Sequence, residues 1–146
     1  MSSIVHLAKR FLGSLSRRPP SAADEQWAKG WMTPWEIALW RRMSNADQRH
    51  AIEVARRFQA VRADATSHEM AGALLHDVGK LESGLGTFGR VIATIVGPRT
   101  ARFRRYHEHE AIGARWLAEQ GSSPATVDLV RRVGPAAAAL ERSDDL

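Results

Sequence analysis

The stretch that most constrains this chain is Thr66–Gly79, which reads TSHEMAGALLHDVG. Thr66 and Glu69 have the spacing of a capping box, in which the hydroxyl accepts from the third residue's N–H and the carboxylate returns to the first. The helix they open is apolar nearly all round from Met70 to Val78 and meets a stop at Gly79. A helix apolar on every face is a buried helix, so the rest of the chain has to surround it. Its C-terminal end nevertheless carries His76 and Asp77 side by side. An ionised carboxylate in such a place is costly unless it is paired or holds a cation.

The flanking sequence supplies the surrounding helices. Pro34 stands at the first position of a helix capped by Thr33. Within it Trp35, Leu39 and Arg42 share one face, and Ile37 and Trp40 another. Ser44-Asn45-Ala46-Asp47 starts a longer helix, expected to run to about Ala63. His50, Val54, Phe58 and Val61 fall on one face of it, which turns His50 inward. A helix is expected over Arg90–Val96, ended by Gly97-Pro98. Another leads from Tyr106-His107-Glu108-His109 to Gln120, with Gly121 as its stop. Ser123-Pro124 starts the next, Gly134-Pro135 breaks it, and Ala136–Arg142 forms the last. Gly84, Gly86 and Gly89 lack the strand–turn–helix context of a dinucleotide fingerprint. No segment alternates with period two. The expected fold is all-α, a compact bundle of five to seven helices.

The 146 residues suit one domain. Residues 1–23 read as a basic N-terminal segment and linker, and residues 24–146 as a single helical domain. Within that domain, 24–43 is a Trp-rich lead-in and 44–146 the core that carries the motifs. Trp27, Trp31, Trp35 and Trp40 could stack nucleic-acid bases. Core is the preferred reading, because Trp brings a large apolar surface to a small domain. Residues 4–18 combine Ile4, Leu7, Phe11 and Leu15 with Lys9, Arg10, Arg17 and Arg18. They fit a basic amphipathic helix on an anionic membrane surface, a short helix packed on the domain, or a frayed terminus. No apolar run approaches the ~20 residues of a transmembrane helix. Twenty-one Lys and Arg against 16 Asp and Glu give +5, which favours anionic partners. The absence of cysteine excludes disulfides, thiolate zinc sites and a Cys nucleophile, and suits a reducing, cytoplasmic setting.

Four residues suggest chemistry. His76 and Asp77 end the central helix, His50 faces inward from the preceding one, and Asp144 comes from the last. Two imidazoles and two carboxylates from three helices would bind a divalent cation and leave positions open for water and phosphate. The plainer reading of each histidine is a hydrogen-bonded core residue.

Taken together, these pieces resemble the HD-domain superfamily of metal-dependent phosphohydrolases. Ala73-Leu74-Leu75-His76-Asp77-Val78-Gly79-Lys80 is similar to its HD-(I/V)-G-K signature. Arg49-His50-Ala51-Ile52-Glu53-Val54-Ala55 is similar to its first motif, and His109-Glu110-Ala111-Ile112-Gly113-Ala114 to its "His, three residues, Gly-Ala" segment. Ser143-Asp144-Asp145-Leu146 resembles the closing Ala-Asp motif, with Ser143 where Ala is usual. The resemblance spans about Asn45 to Leu146.

It implies a helical bundle holding a divalent metal through His50, His76, Asp77 and Asp144, with Asp145 as the substitute for the last. Mn, Fe, Co, Ni, Mg and Zn all suit such ligands. Where many members carry a further His, this chain reads Val130-Arg131-Arg132-Val133, so one ion is expected rather than two. The implied reaction is hydrolysis of a phosphomonoester or phosphodiester in a small phosphorylated substrate, most plausibly a nucleotide. Asp77 would orient water and Lys80 would neutralise a phosphate oxygen. His109, His107, His68, Arg105 and Glu82 are candidates for supporting or substrate contacts, with Arg102 and Arg104 as further phosphate clamps. Glu69 has a capping role as its ordinary reading. The alternative is an HD domain without catalysis that serves as a ligand-binding or regulatory module.

Overall fold

The computed structural model describes residues 17–79 and 109–144, together with Ile4 and Val5. Lys80, Glu82, Arg102, Arg104, Arg105, His107, Asp145, the expected helix Arg90–Val96 and residues 6–16 lie outside the described residues. Those described form seven helices and no strand, the all-α bundle expected.

Short-range chemistry starts most of the helices. Ser21 accepts from Asp24 N–H at 3.1 Å and opens α1 (Ala22–Lys29), two residues before the expected domain boundary. Thr33 and Glu36 form a capping box at α2 (Pro34–Arg41), with Pro34 in the first turn. Ser44 caps α3 (Asn45–Val61) through Asp47 N–H. This helix ends two residues before Ala63, because Arg62 leaves helical geometry at φ −122°. Thr66 and Glu69 form the expected box at α4 (Ser67–Leu75). Here the structure corrects the sequence reading. The helix stops at Leu75 rather than Val78, and His76 and Asp77 lie in the turn that follows. α5 (His109–Glu119), α6 (Pro124–Val130, capped by Ser123) and α7 (Ala137–Asp144) complete the set. α7 runs two residues beyond Arg142, so Asp144 is its last residue.

α4 is the central helix. Every residue from Glu69 to Leu75 is buried, and α3, α6 and α2 pack around it. α7 lies on α3, and α5 on α6. Gly72 permits the closest of these approaches, since a Cβ there would sit 2.9 Å from Leu129 Cβ. The core includes Trp40, Val54, Phe58, Met70, Leu74, Leu75, Leu117, Leu129 and Leu140, all essentially inaccessible. Trp40 is thus the core residue expected, and Trp27, Trp31 and Trp116 pack on the core's flank. Trp35 departs from that expectation and is exposed: it lies in the first turn of α2, at the edge of the buried side formed by Glu36, Leu39 and Trp40. Val61, expected inward, is also exposed at the end of α3.

No helix among the described residues is long and apolar enough to cross a membrane.

Candidate metal centre

Three helices aim one side chain each at a common point. His50 comes from the second turn of α3, His76 caps the C-terminus of α4, and Asp144 closes α7. Their ligand atoms lie within 4.8 Å of one another. His50 Nε2 is 3.1 Å from Asp144 Oδ1, and His76 Nε2 is 3.5 Å from the same oxygen. Asp77 adjoins the trio, with its Oδ2 3.3 Å from His76 Nε2. Two ligands that share one ion at about 2.1 Å each stand roughly 3.0–3.4 Å apart, depending on the angle between them. The spacings of Asp144 Oδ1 from the two imidazole nitrogens, 3.1 and 3.5 Å, are close to this size.

The imidazole of His76 is oriented for such a role. Its Nδ1–H donates to the Ala73 carbonyl at 2.7 Å, one turn back in α4. That bond fixes the ring and leaves Nε2 toward the carboxylates, the arrangement by which backbone carbonyls orient metal-binding histidines. His76 is fully buried, yet Nε2 makes no hydrogen bond among the described residues. The nearby carboxylate oxygens are close but out of line. A buried polar atom without a partner is rare enough to need a reason, and a cation is one.

Burial by itself lowers the pKa of His76. The charges of Asp77 and Asp144 and their contacts with the ring outweigh it and push the group up to about 10. For Asp144, burial works to raise the carboxyl. The hydrogen bond from His50 and the contacts with His76 prevail and hold it well below the usual carboxylate range. A proton and a metal ion therefore compete for the Nε2 lone pair.

Packing positions Asp144. Ser143 is fully buried, its hydroxyl donates to Ala139 O at 2.8 Å, and Arg57 Nε of α3 donates to its carbonyl at 2.9 Å. The end of α7 is thereby tied to α3 beside His50. Gly113 performs a similar service for the Asp77 turn. A Cβ at Gly113 would lie 3.0 Å from Val78 Cγ1 and 3.1 Å from Gly79 N, so any larger residue would have to push that turn back by a few tenths of an ångström.

One participant escaped the sequence reading. Arg132 Nη2 donates to Asp144 Oδ2 at 2.7 Å, on the side opposite His50. Its Nη1 donates to Glu141 at 3.2 Å, and its Nε lies 2.6 Å from a Glu110 oxygen. Burial would lower its pKa, but Asp144, Glu110 and Asp77 drive it higher than an ordinary arginine, and it is a permanent cation. The backbone is as unusual as the contacts. α6 ends in a Schellman motif, with Arg132 N–H donating to Leu129 O and Val133 N–H to Asp128 O. Arg132 occupies the left-handed position at φ 60°, where glycine is the ordinary choice. A side-chain residue there costs about 1–2 kcal/mol. In the sequence, position 132 figures only within Val130–Val133, the stretch that lacks the further His, and carries no assigned role there.

Other candidates fall elsewhere. His68 is exposed near the start of α4, about two turns and roughly 12 Å of rise from His76. Its carbonyl accepts from Thr126 Oγ1. Glu69 caps α4 and forms a two-pronged ion pair with Arg62, a structural role. His109 is the first residue of α5, and its side chain is outside the described set. Comparisons with protein-family models, with curated proteins and with solved structures gave no match.

Proposed function

We propose that this chain is a metal-dependent phosphohydrolase of the HD-domain type. One divalent ion would be held by His50, His76 and Asp144, with Asp77 at its edge, and the substrate would be a small phosphorylated metabolite, most plausibly a nucleotide. The observation that carries this reading is the meeting of His50 Nε2, His76 Nε2 and Asp144 Oδ1 around a buried imidazole nitrogen that makes no hydrogen bond among the described residues. A divalent ion bound there supplies Lewis acidity toward a phosphoryl oxygen and toward water.

The protein's own groups have separate tasks. The Ala73 carbonyl holds His76 in one tautomer, with Nε2 presented to the site. Arg57 and the buried Ser143 fix the end of α7, so Asp144 meets His50 without reorganising. Asp77, beside His76 Nε2, orients a water and accepts its proton as the water attacks phosphorus, while the ester P–O bond breaks and the departing alcohol oxygen takes up a proton from solvent. Lys80, next after Gly79 in sequence, is the residue assigned to neutralise the phosphate. The net charge of +5 favours anionic substrates, and the lack of cysteine suits a cytoplasmic protein.

The test uses the full chain purified without a His tag. Metal content is measured first. A panel of phosphomonoesters and phosphodiesters, nucleotides included, is then assayed with Mn, Co, Ni and Mg. Metal-dependent hydrolysis that disappears in Asp77→Ala supports the proposal. A folded, metal-loaded protein silent across the panel points to the ligand-binding or regulatory alternative. A folded chain that takes up none of Mn, Fe, Co, Ni, Mg and Zn removes the hydrolase reading.

A further inference from the structure

We infer that Arg132 is a resident cation that restricts this centre to one metal ion and positions Asp144 for it; the inference rests on the metal-centre reading above. The geometry supplies the argument. Three carboxylates converge on one guanidinium: Asp144 and Glu141 from α7, and Glu110 from α5. Asp144 divides its oxygens, with Oδ1 facing His50 and His76 and Oδ2 held by Arg132 at 2.7 Å. The guanidinium lies between Asp144 Oδ2, away from the histidines, and the carboxylates of Glu141 and Glu110. Without it, Asp144 Oδ2 and the carboxylates of Glu141 and Glu110 would lose their shared cation, an arrangement that draws in a hard cation.

The backbone gives independent support. Position 132 takes the left-handed conformation that glycine fills most easily, and it carries arginine instead. The side chain is nearly enclosed, at 14% exposure, and all three of its nitrogens contact carboxylates. A residue that only ended a helix would need neither property. The fork also holds Asp144 Oδ2 in a fixed direction, which leaves Oδ1 as the single oxygen presented to the ion.

Arg132→Gly is the discriminating variant, because glycine suits this backbone and removes only the side chain. Mn2+ is titrated calorimetrically into metal-free wild type, Arg132→Gly, Arg132→Lys and the double variant Arg132→Gly/Glu110→Gln. Metal per chain is measured in parallel after dialysis, and circular dichroism checks each fold. Wild type and Arg132→Lys are expected to bind one Mn2+, the lysine variant about tenfold more weakly because a point charge replaces the fork. Arg132→Gly is expected to take a second Mn2+, which Glu110→Gln abolishes. A folded Arg132→Gly that still binds one ion overturns the inference and leaves the metal centre standing. Two ions in wild type do the same, whatever the variants' folding. A wild type that binds none overturns the metal centre itself and this inference with it.

Discussion

His50 and Asp144 are 94 residues apart in the chain and 3.1 Å apart in the structure, Nε2 to Oδ1. This contact joins the second turn of α3 to the last residue of α7, and it places both groups beside the buried ring of His76. A metal centre built on such a contact depends on each partner. His50→Ala and Asp144→Asn are expected to weaken Mn2+ binding by more than about 100-fold, beyond the 10–100-fold typical of losing an outer partner. Titration calorimetry on chelator-treated protein measures it. Affinity within threefold of wild type in either variant would exclude that residue as a ligand.

His76 gives the metal-free protein a pH signature. Its pKa rises on folding from the ordinary 6.5 to about 10. The stabilisation is therefore complete below pH 6.5 and is lost as pH rises through about 10. Within that window stability falls by at most about 1.4 kcal/mol per pH unit from this group. Thermal melts with EDTA between pH 6 and 10.5 should show the decline, and Asp144→Asn should flatten it. Apparent Mn2+ affinity should rise over the same range, because binding displaces the Nε2 proton. A melting temperature equally independent of pH in both proteins would show that the ring is not held protonated.

Gly113→Val is expected to cost about 1–3 kcal/mol, the usual penalty of overpacking. The side chain would strike Val78 Cγ1 and the backbone nitrogen of Gly79, and backbone cannot yield as a flexible side chain does. Because the collision falls on the turn that carries Asp77, Mn2+ affinity should drop together with stability. Urea denaturation and metal titration of the same sample check both effects. Unchanged stability would mean that α5 can move away at little cost.

Glu36→Ala tests a buried carboxylate remote from the metal cluster in sequence and role. Glu36 is 2% exposed, accepts from Thr33 N–H at 2.9 Å and from the Ser122 hydroxyl at 2.6 Å. It thus joins the start of α2 to the loop between α5 and α6. Its loss removes half of a capping box and leaves the Ser122 hydroxyl without that partner, at about 2 kcal/mol in total. Chemical denaturation measures the loss. Mn2+ affinity should stay within twofold of wild type.

What could be read from the sequence was what residues within a turn or two of one another decide. Thr33, Ser44, Thr66 and Ser123 marked helix starts, because a cap bonds to an amide two or three residues ahead. The all-round apolar face of α4 announced its central position, and His76-Asp77 stood out because a charge is costly there. The end of α4 was misjudged: Val78 is as apolar as Leu75, so periodicity offered no reason for the chain to turn at His76. Trp35 was placed by residue type, whereas its exposure follows from which side of α2 meets α4. The meeting of Asp144 with His50 was offered by the sequence only through its motif resemblance and is made by docking α7 on α3, whereas the tertiary structure alone brought Arg132 between Glu110, Glu141 and Asp144. Hydrogen bonds and side-chain periodicity act over a few residues. The direction in which a guanidinium points depends on a backbone angle and on neighbours contributed by other helices, and the linear order of residues records neither.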